Sequence, residues 1–387
     1  MPPASQRSAP QRRAHAYTVD YTIDLTASPQ PRHHVILLDG TWNDEQGTLW
    51  TNPLTGEPQR VVTSLVKLDR ALAPDNTTQV VSYHRGIGNA TDNRRIQQLF
   101  TGAVGADEAC IRAGAYAQFA LDYRPGDVVS IFGFSRGAAC ARMLANDLAR
   151  HGVPSRLRVT RRYWNGDYRI VAASIPRGAE RRPVEIAYLG LWDTVGAFGI
   201  PVDLGPLAFG RINVGKDLSL APNVGRAVHC LALDEDRKAF DAVLLEGPPE
   251  VVDEVWFPGV HSDIGGGYGF DGLGKLTFAY QLARWEATLA ALGAPPLAWH
   301  DDTRHALLPS AEDLLVRHRH DSAPGGRRPR TLRTAGGGLP RVHASVDALI
   351  AAGAGWVAEN DEKAVPVRRA YLPPNYTARD PRVVVGA

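Results

Sequence analysis

The 387-residue sequence has only three cysteines and two methionines, and it lacks a hydrophobic run long enough to cross a membrane. Cys110, Cys140 and Cys230 have no zinc-ligand spacing and cannot all pair with one another, which argues against a disulfide scaffold. A membrane-spanning helix needs about 18 or more uncharged apolar residues, and a secretory signal needs an apolar core near the N-terminus. Because the sequence has neither, we expect a cytoplasmic, soluble product without a transmembrane segment. Its export would require a route that reads no such signal.

An excess of charge of one sign is also missing. The sequence has 43 Lys and Arg residues and 41 Asp and Glu residues, which gives a formal net charge of +2. This balance gives no general reason to expect a nucleic-acid partner. Arginine is dense only locally, at 156–162 and 327–333. Such runs mostly belong to solvated loops, and contact with an anionic surface is the alternative. Hydrophobic residues make up 44% of the chain, so a sizeable core is expected.

The stretch 127–138 is the most informative part of the sequence. A short apolar run ends in Gly133-Phe-Ser135-Arg-Gly137, and a helical pattern follows at once. This is the pattern of a nucleophile elbow, in which the serine lies on a strained strand-to-helix turn and small neighbours prevent clashes. The motif alone is weak, but the strand before it and the helix after it strengthen it. We therefore predict that Ser135 is a catalytic nucleophile.

Short apolar runs alternate with helical patterns along the rest of the chain. We predict strands at 35–38, 79–83, 184–192 and 251–258, the last being the final core strand, and helices at 63–72, 107–123, 138–150 and 273–292. We also expect a helix at 225–234 that ends in a solvated charged cluster at 234–238. Strand-helix-strand alternation favours parallel pairing with helices on both faces. The predicted fold class is therefore α/β, of the α/β-hydrolase type, with a mostly parallel central sheet, inserted loops and a C-terminal extension.

The domain organisation follows from the same patterns. Residues 1–32 are expected to form a partly disordered N-terminal tail, in which the alternating segment 17–25 is an edge strand. Residues 33–295 would form the hydrolase core, with insertions near 154–183 and 198–224. Residues 296–387 would form a C-terminal extension packed on that core.

Three candidate catalytic groups follow strand ends in the chain order Ser135, Asp193, His261, which is the order expected of an α/β-hydrolase. The imidazole would accept the serine proton, and the carboxylate would fix its tautomer and stabilise its charged form. Asp203 and Asp263 are alternative carboxylates, and His343 is an alternative base.

An oxyanion hole is predicted beside the elbow. The backbone N–H of Arg136 would supply one donor, and the N–H groups of Gly40 and Thr41 would supply the second; a plain turn at 40–41 is the alternative. The sequence shows no set of residues at metal-ligand spacing, so we predict no metal and no cofactor. A cation held by the aspartates near the site is the alternative to loop caps.

Four motifs together carry a resemblance to a known family. They are Phe132-Gly-Phe-Ser-Arg-Gly-Ala138, Leu38-Asp-Gly-Thr-Trp-Asn43, Leu191-Trp-Asp-Thr-Val195 and Trp256-Phe-Pro-Gly-Val-His-Ser-Asp-Ile-Gly-Gly-Gly-Tyr268. The chain resembles the type VI lipase effector family of α/β-hydrolases over roughly residues 33 to 290, with weaker similarity at 342–346 and 371–375. The resemblance implies a phospholipase or related carboxylic ester hydrolase in which Ser135 is the nucleophile, His261 the base and Asp193 its orienting acid.

The resemblance also implies partners. The family includes antibacterial toxins that a contractile secretion apparatus delivers and that a dedicated immunity protein neutralises. We therefore expect a phospholipid or other acyl ester as substrate, with an immunity protein or a component of the secretion apparatus as candidate protein partners.

Two other functions stay open at this point. One is a non-catalytic lipid- or protein-binding module on a hydrolase fold, which the arginine-rich loops would serve. The other is a peptidase or thioesterase, because all acyl transfers can use the same three groups.

Overall fold

The structure is a computed structural model. It describes residues 16–27, 29–40, 45–86, 104–164, 167–195, 219–237, 240–300, 303–310, 318–321, 328–335, 337–353, 355–359, 367–377 and 381–386. In chain order the strands are β1 Ala16–Thr22, β2 His33–Leu38, β3 Thr48–Thr51, β4 Pro58–Val61, β5 Gln79–His84, β6 Val128–Phe134, β7 Val153–Pro154, β8 Arg156–Trp164, β9 Asp167–Ser174, β10 Arg181–Arg182, β11 Ile186–Trp192, β12 Ala227–Ala232, β13 Val252–Phe257, β14 His318–Asp321, β15 Arg341–His343, β16 Gly355–Glu359, β17 Val367–Arg369 and β18 Val383–Val385. The helices are α1 Ser64–Ala71, α2 Val104–Asp122, α3 Arg136–His151, α4 His261–Gly265, α5 Gly272–Ala291, α6 Thr303–Leu307 and α7 Ala344–Ala351.

One large parallel sheet organises the described residues. Its eight strands lie in the order β18-β15-β13-β12-β11-β6-β2-β5, and every neighbouring pair is parallel. Because the strands are parallel, their carboxyl ends meet at the same edge of the sheet, where α/β proteins build their sites. The predicted fold class, an α/β-hydrolase-like parallel sheet flanked by helices, is confirmed.

The central strands of the sheet are buried on both faces, which explains their continuous apolar runs. All six residues of β2 are buried. Ile36 and Leu38 pack with α2 and α3 in one core, whereas Val35 and Leu37 pack with α1 and α5 in the other. This division follows from the two-residue repeat of a strand, which directs successive side chains to opposite faces.

The segment 225–234 is a strand, so the predicted helix there is wrong. It forms β12, which lies between β11 and β13 and is buried at all six positions. A short apolar run that is buried on both faces has no two-residue alternation, and its pattern cannot be told from that of a buried helix. The predicted solvated cluster at 234–238 is also wrong, because Glu235 is fully buried.

The strand at 251–258 is confirmed as β13, but it is not the final core strand. β15 and β18 continue the sheet beyond it. Each of them has only three residues, too few to show a hydrophobic pattern. Both come from the chain beyond residue 295, and the domain boundary itself stays a prediction.

The strands described between residues 153 and 182 lie outside the main sheet. β8 pairs antiparallel with β1 on one side and with β9 on the other, and β7 pairs with β10. The predicted edge strand in the N-terminal segment is therefore confirmed as β1. None of the helices in the described residues combines the length and the apolar character that a membrane crossing needs.

Helix α3 approaches the end of β2 so closely that only glycine fits at the contact. A Cβ atom on Gly137 would lie 2.0 Å from the carbonyl oxygen of Leu38, and one on Gly133 would lie 2.5 Å from the Cα of Ala138. Distances of this size are far below van der Waals contact. The two glycines of the elbow motif therefore allow the helix to follow the strand directly.

We expect Gly137→Ala to lower the free energy of unfolding by about 1–3 kcal/mol, because the added methyl group overpacks rigid backbone. Gly114→Ala in α2 is the matched control. Its Cβ would meet neighbours only at 3.9 Å and beyond, so the better helix propensity of alanine should leave stability unchanged or raise it by up to about 1 kcal/mol. Urea unfolding of both variants measures the difference. Equal effects of the two substitutions would contradict this packing argument.

Candidate active site

Ser135 lies at the turn between β6 and α3. Its backbone has φ 60° and ψ −123°, a strained conformation for a residue other than glycine. The Ser135 N–H donates to the carbonyl oxygen of Trp192 at 2.9 Å, and the residue is 7% exposed. The strand-turn-helix context that the sequence motif requires is therefore present.

Asp193 and His261 come together at the same edge of the sheet. Asp193 follows β11, and His261 begins α4 just after β13. His261 Nδ1 lies 2.6 Å from Asp193 Oδ2, and both side chains are buried. Trp192 pairs with Phe134 in the register of the sheet, so Asp193 and Ser135 follow the ends of adjacent strands.

The imidazole of His261 also lies beside the elbow. Its ring packs against the ring of Phe134, with centroids 4.7 Å apart, and Phe134 immediately precedes Ser135. The ring of Phe240 contacts His261 edge-on at 5.0 Å. Two aromatic rings thus fix the plane of the imidazole next to the serine turn.

The carboxylate of Asp193 accepts hydrogen bonds from other groups besides His261. Arg330 forms a two-pronged ion pair with it, with Nη1 2.6 Å from Oδ1 and Nη2 2.9 Å from Oδ2. The N–H of Ala232 donates to Oδ1 at 2.9 Å. Burial alone would raise the pKa of Asp193, but the charge of Arg330 and the hydrogen bond from His261 outweigh it and hold the pKa well below its usual range.

The ionised state of Asp193 determines the tautomer of His261. A carboxylate can only accept hydrogen bonds, so His261 Nδ1 must carry the proton that lies between the two groups. The lone pair of the neutral ring is then on Nε2, the nitrogen that can accept a proton from a nucleophile. The pair therefore has the arrangement of an oriented general base.

A second buried ion pair lies behind the histidine. Glu235 Oε2 accepts the backbone N–H of His261 at 3.1 Å, and Arg237 donates to both Glu235 oxygens at 2.8 Å. Burial would raise the pKa of Glu235, but the hydrogen bonds and the charge of Arg237 lower it overall. The guanidinium of Arg237 also lies 3.6 Å above the ring of Phe240. Glu235 therefore anchors the start of α4.

The predicted oxyanion loop is described only in part, because Thr41 lies outside the described residues. The Gly40 N–H donates to Asp39 Oδ1 at 2.6 Å. Thr63 and Tyr83 donate to the other oxygen of Asp39 at 2.6 and 2.7 Å. Gly40 would have to exchange this hydrogen bond to bind an oxyanion. Arg136 is the first residue of α3.

The alternative site residues have structural roles of their own. Asp263 Oδ2 accepts the N–H of Val260 at 2.9 Å and so caps α4. His343 caps α7, where its Nδ1 lies 2.8 Å from the hydroxyl of Ser345, and its ring stacks on Phe257. Asp203 lies outside the described residues.

Four residues at the candidate dyad were not predicted: Glu235, Phe240 and Arg330 contact it, and Arg237 pairs with Glu235. Glu235 could have been found, because an acidic residue just after an apolar strand would lie at the carboxyl edge of the sheet. The wrong helix prediction hid that signal. Nothing local distinguishes Arg330 from the other arginines at 327–333.

The parallel sheet flanked by helices gives the chain an α/β-hydrolase-like fold. Residues 32–299 match the family described as T6SS, phospholipase effector Tle1-like, catalytic domain. The match covers more than half of the chain, and the chain therefore belongs to this family of phospholipase effectors, as its four motifs predict. No relative among curated proteins matches the sequence.

The chain is also similar to solved structures. An uncharacterized protein from Pseudomonas aeruginosa has a TM-score of 0.43 and 19% identity, over 73% of this chain and 50% of that one. The Tle1 effector bound to the VgrG spike of the type 6 secretion system has a TM-score of 0.35 and 24% identity, over 62% of this chain and 52% of that one. Zea mays acyl-protein thioesterase 2 has a TM-score of 0.27 and 10% identity, over 70% of this chain and all of that one. The chain thus spans about half the length of the first two.

We expect Asp193→Asn to destabilise the fold by roughly 3–5 kcal/mol, because it leaves Arg330 as a buried charge without its partner. Asparagine tolerates the left-handed backbone at this position, where φ is 41°, so the loss would come from charge. Asp263→Asn, which alters a carboxylate that caps α4, should cost only about 1 kcal/mol, the usual size for a single substitution. Chemical denaturation at neutral pH measures the free energy of unfolding of both variants.

The ion pair of Asp193 with Arg330 also predicts how the stability of the fold depends on pH. A carboxylate with a lowered folded pKa contributes its full stability above its unfolded pKa of about 3.9 and loses it as the pH falls further. The difference in stability between wild type and Asp193→Asn should therefore be constant at neutral pH and narrow below about pH 4. A difference that stays constant down to pH 3 would contradict the assignment of an ionised, ion-paired Asp193.

Proposed function

We propose that the protein is a serine-dependent carboxylic ester hydrolase of the phospholipase A type that acts through an acyl-enzyme. Ser135 is the nucleophile, His261 the general base and Asp193 the residue that orients and charges the base. The observation that carries the proposal is the 2.6 Å contact between His261 Nδ1 and Asp193 Oδ2 beside the strained Ser135 turn.

The reaction follows from these positions. Ser135 Oγ bonds to the ester carbonyl carbon while its proton passes to His261 Nε2, and Asp193 stabilises the imidazolium that forms. The bond to the leaving alcohol then breaks, and His261 returns the proton to that alcohol. A water molecule attacks the acyl-enzyme by the same route, which releases the carboxylic acid and restores the serine hydroxyl.

The negative charge on the attacked oxygen needs donors near the N-terminus of α3. The Arg136 N–H at the first helical position is the first donor, since a helix N-terminus favours an anion. Gly40 or Thr41 would supply the second. For Gly40 this requires release of the Asp39 carboxylate when substrate binds.

The substrate class and the setting rest on family membership. We infer a glycerophospholipid or a related acyl ester as the substrate of this Tle1-like catalytic domain. We also infer delivery by a type VI secretion apparatus without a signal peptide, action on a target cell and neutralisation by an immunity protein. The Tle1 effector has been solved in complex with the VgrG spike, and an equivalent spike protein is the secretion partner to test first.

The test is hydrolysis of phospholipid vesicles and of short soluble acyl esters by the full chain. We expect Ser135→Ala to lower kcat by roughly 10⁴-fold or more, because the nucleophile is lost while the fold remains. Ser345→Ala is the matched control, since Ser345 is a buried serine whose hydroxyl lies 2.8 Å from His343 Nδ1. It should retain wild-type activity. Likewise, His261→Gln should lower kcat, whereas His343→Gln should retain wild-type activity.

Two outcomes would reject the proposal. One is a folded wild type that hydrolyses none of these esters but still binds the vesicles, which would favour the non-catalytic lipid-binding alternative. The other is hydrolysis that survives Ser135→Ala and is lost in Ser345→Ala or His343→Gln.

A further inference from the structure

Arg330 is bound to the candidate site by more contacts than an ion pair alone. Besides Asp193, its Nη1 donates to the carbonyl oxygen of Ala232 at 2.9 Å and its Nε to that of Phe240 at 3.1 Å. The side chain is only 3% exposed. Its guanidinium thus joins the end of β12, the carboxylate after β11 and the loop that carries the Phe240 ring.

The segment that carries Arg330 is fastened to the core on both sides. The Arg328 N–H donates to the carbonyl oxygen of Asp236 at 2.9 Å, and the indole N–H of Trp256 donates to that of Arg333 at 3.0 Å. Asn375 donates to the carbonyl oxygens of Arg330 and Leu233 at 2.8 and 2.9 Å. Arg330 is therefore held in place by backbone contacts that do not depend on Asp193.

This segment lies outside the family match, which ends at residue 299. We propose that Arg330 is a positioning residue of the active site, which holds the Asp193 carboxylate toward His261 and offsets its negative charge. The proposal rests on the proposed serine hydrolase function. The chain beyond the matched domain thus completes the catalytic machinery.

The negative charge of Asp193 lies directly against the imidazole of His261. An uncompensated carboxylate at 2.6 Å would strongly favour the imidazolium, which cannot accept the serine proton. Arg330 places a positive charge on the far side of that carboxylate and opposes this effect. Planar, two-pronged pairing also fixes the carboxylate plane in a way that a lysine ammonium cannot.

Several charged groups near His261 have partners of their own. They include Glu235, Arg237, Asp234 and Asp263, and Arg136 begins α3 beside the Ser135 turn. Glu235 pairs with Arg237, Asp263 accepts the Val260 N–H, and Asp234 accepts the Gly259 N–H at 2.6 Å. Removal of Arg330 therefore changes the charge balance at the histidine through Asp193.

The test compares Arg330→Gln and Arg330→Lys in the full chain. We expect Arg330→Gln to lower kcat about 10- to 100-fold through misplacement of Asp193, with KM for a short soluble ester nearly unchanged. In a plot of kcat/KM against pH, the acid limb should shift to higher pH by about one unit, because the Asp193 carboxylate without Arg330 stabilises the imidazolium. Arg330→Lys keeps the charge but loses the planar pairing, so it should lower kcat while the acid limb stays near that of wild type.

Arg112→Gln is the matched control. Arg112 pairs with Asp147 at 2.9 Å, and both side chains are as buried as those of Arg330 and Asp193. Its loss should destabilise the fold without moving the acid limb. An acid limb that is unmoved in Arg330→Gln, or moved equally in Arg112→Gln, would overturn the proposal, as would a loss of activity that only follows the unfolded fraction seen by circular dichroism.

A second readout does not need turnover. The ring signals of His261 can be assigned in the NMR spectrum of histidine-labelled protein by their loss in His261→Gln. The pH at which these signals change should rise by about one unit in Arg330→Gln. A wild type without Ser135-dependent hydrolysis would reject the proposed function, whereas an unmoved His261 transition would reject the role of Arg330.

Discussion

The buried carboxylate of Asp193 is the group on which the candidate site depends. It is fully buried, and it is shared by an imidazole at 2.6 Å, a guanidinium at 2.6 and 2.9 Å, and a backbone N–H at 2.9 Å. A buried charge is tolerated only when such partners surround it. The same partners fix the tautomer of His261, so the stability of this part of the fold and the chemistry of the site have one origin.

The sheet explains why these partners meet. Ser135, Asp193 and His261 follow β6, β11 and β13, and Ala232 ends β12 between them. Because all these strands are parallel, four separate parts of the chain reach one edge. Close contact at that edge also requires glycine, since a side chain at Gly137 would strike the end of β2. The elbow motif therefore reflects a packing constraint as much as a catalytic one.

Much of this arrangement could be predicted from local sequence. The apolar runs of β2, β6 and β13, the helical repeat of α5 and the serine motif each carry their information within a few residues. β12 could not be distinguished from a helix, because a strand buried on both faces loses its alternation. β15 and β18 are too short to show any pattern. Arg330 was missed because its role depends on contacts across the fold, whereas its local sequence is that of a solvated arginine-rich loop.

We propose that Ser135 is a nucleophile activated by His261. Treatment of the folded protein with a fluorophosphonate, followed by mass spectrometry of its peptides, tests it most directly, because the reagent bonds only to an activated serine. We expect one adduct, on the peptide that contains Ser135, formed rapidly by wild type and by His343→Gln and suppressed in His261→Gln. An adduct at another serine, or equal labelling of Ser135 in His261→Gln, would contradict it.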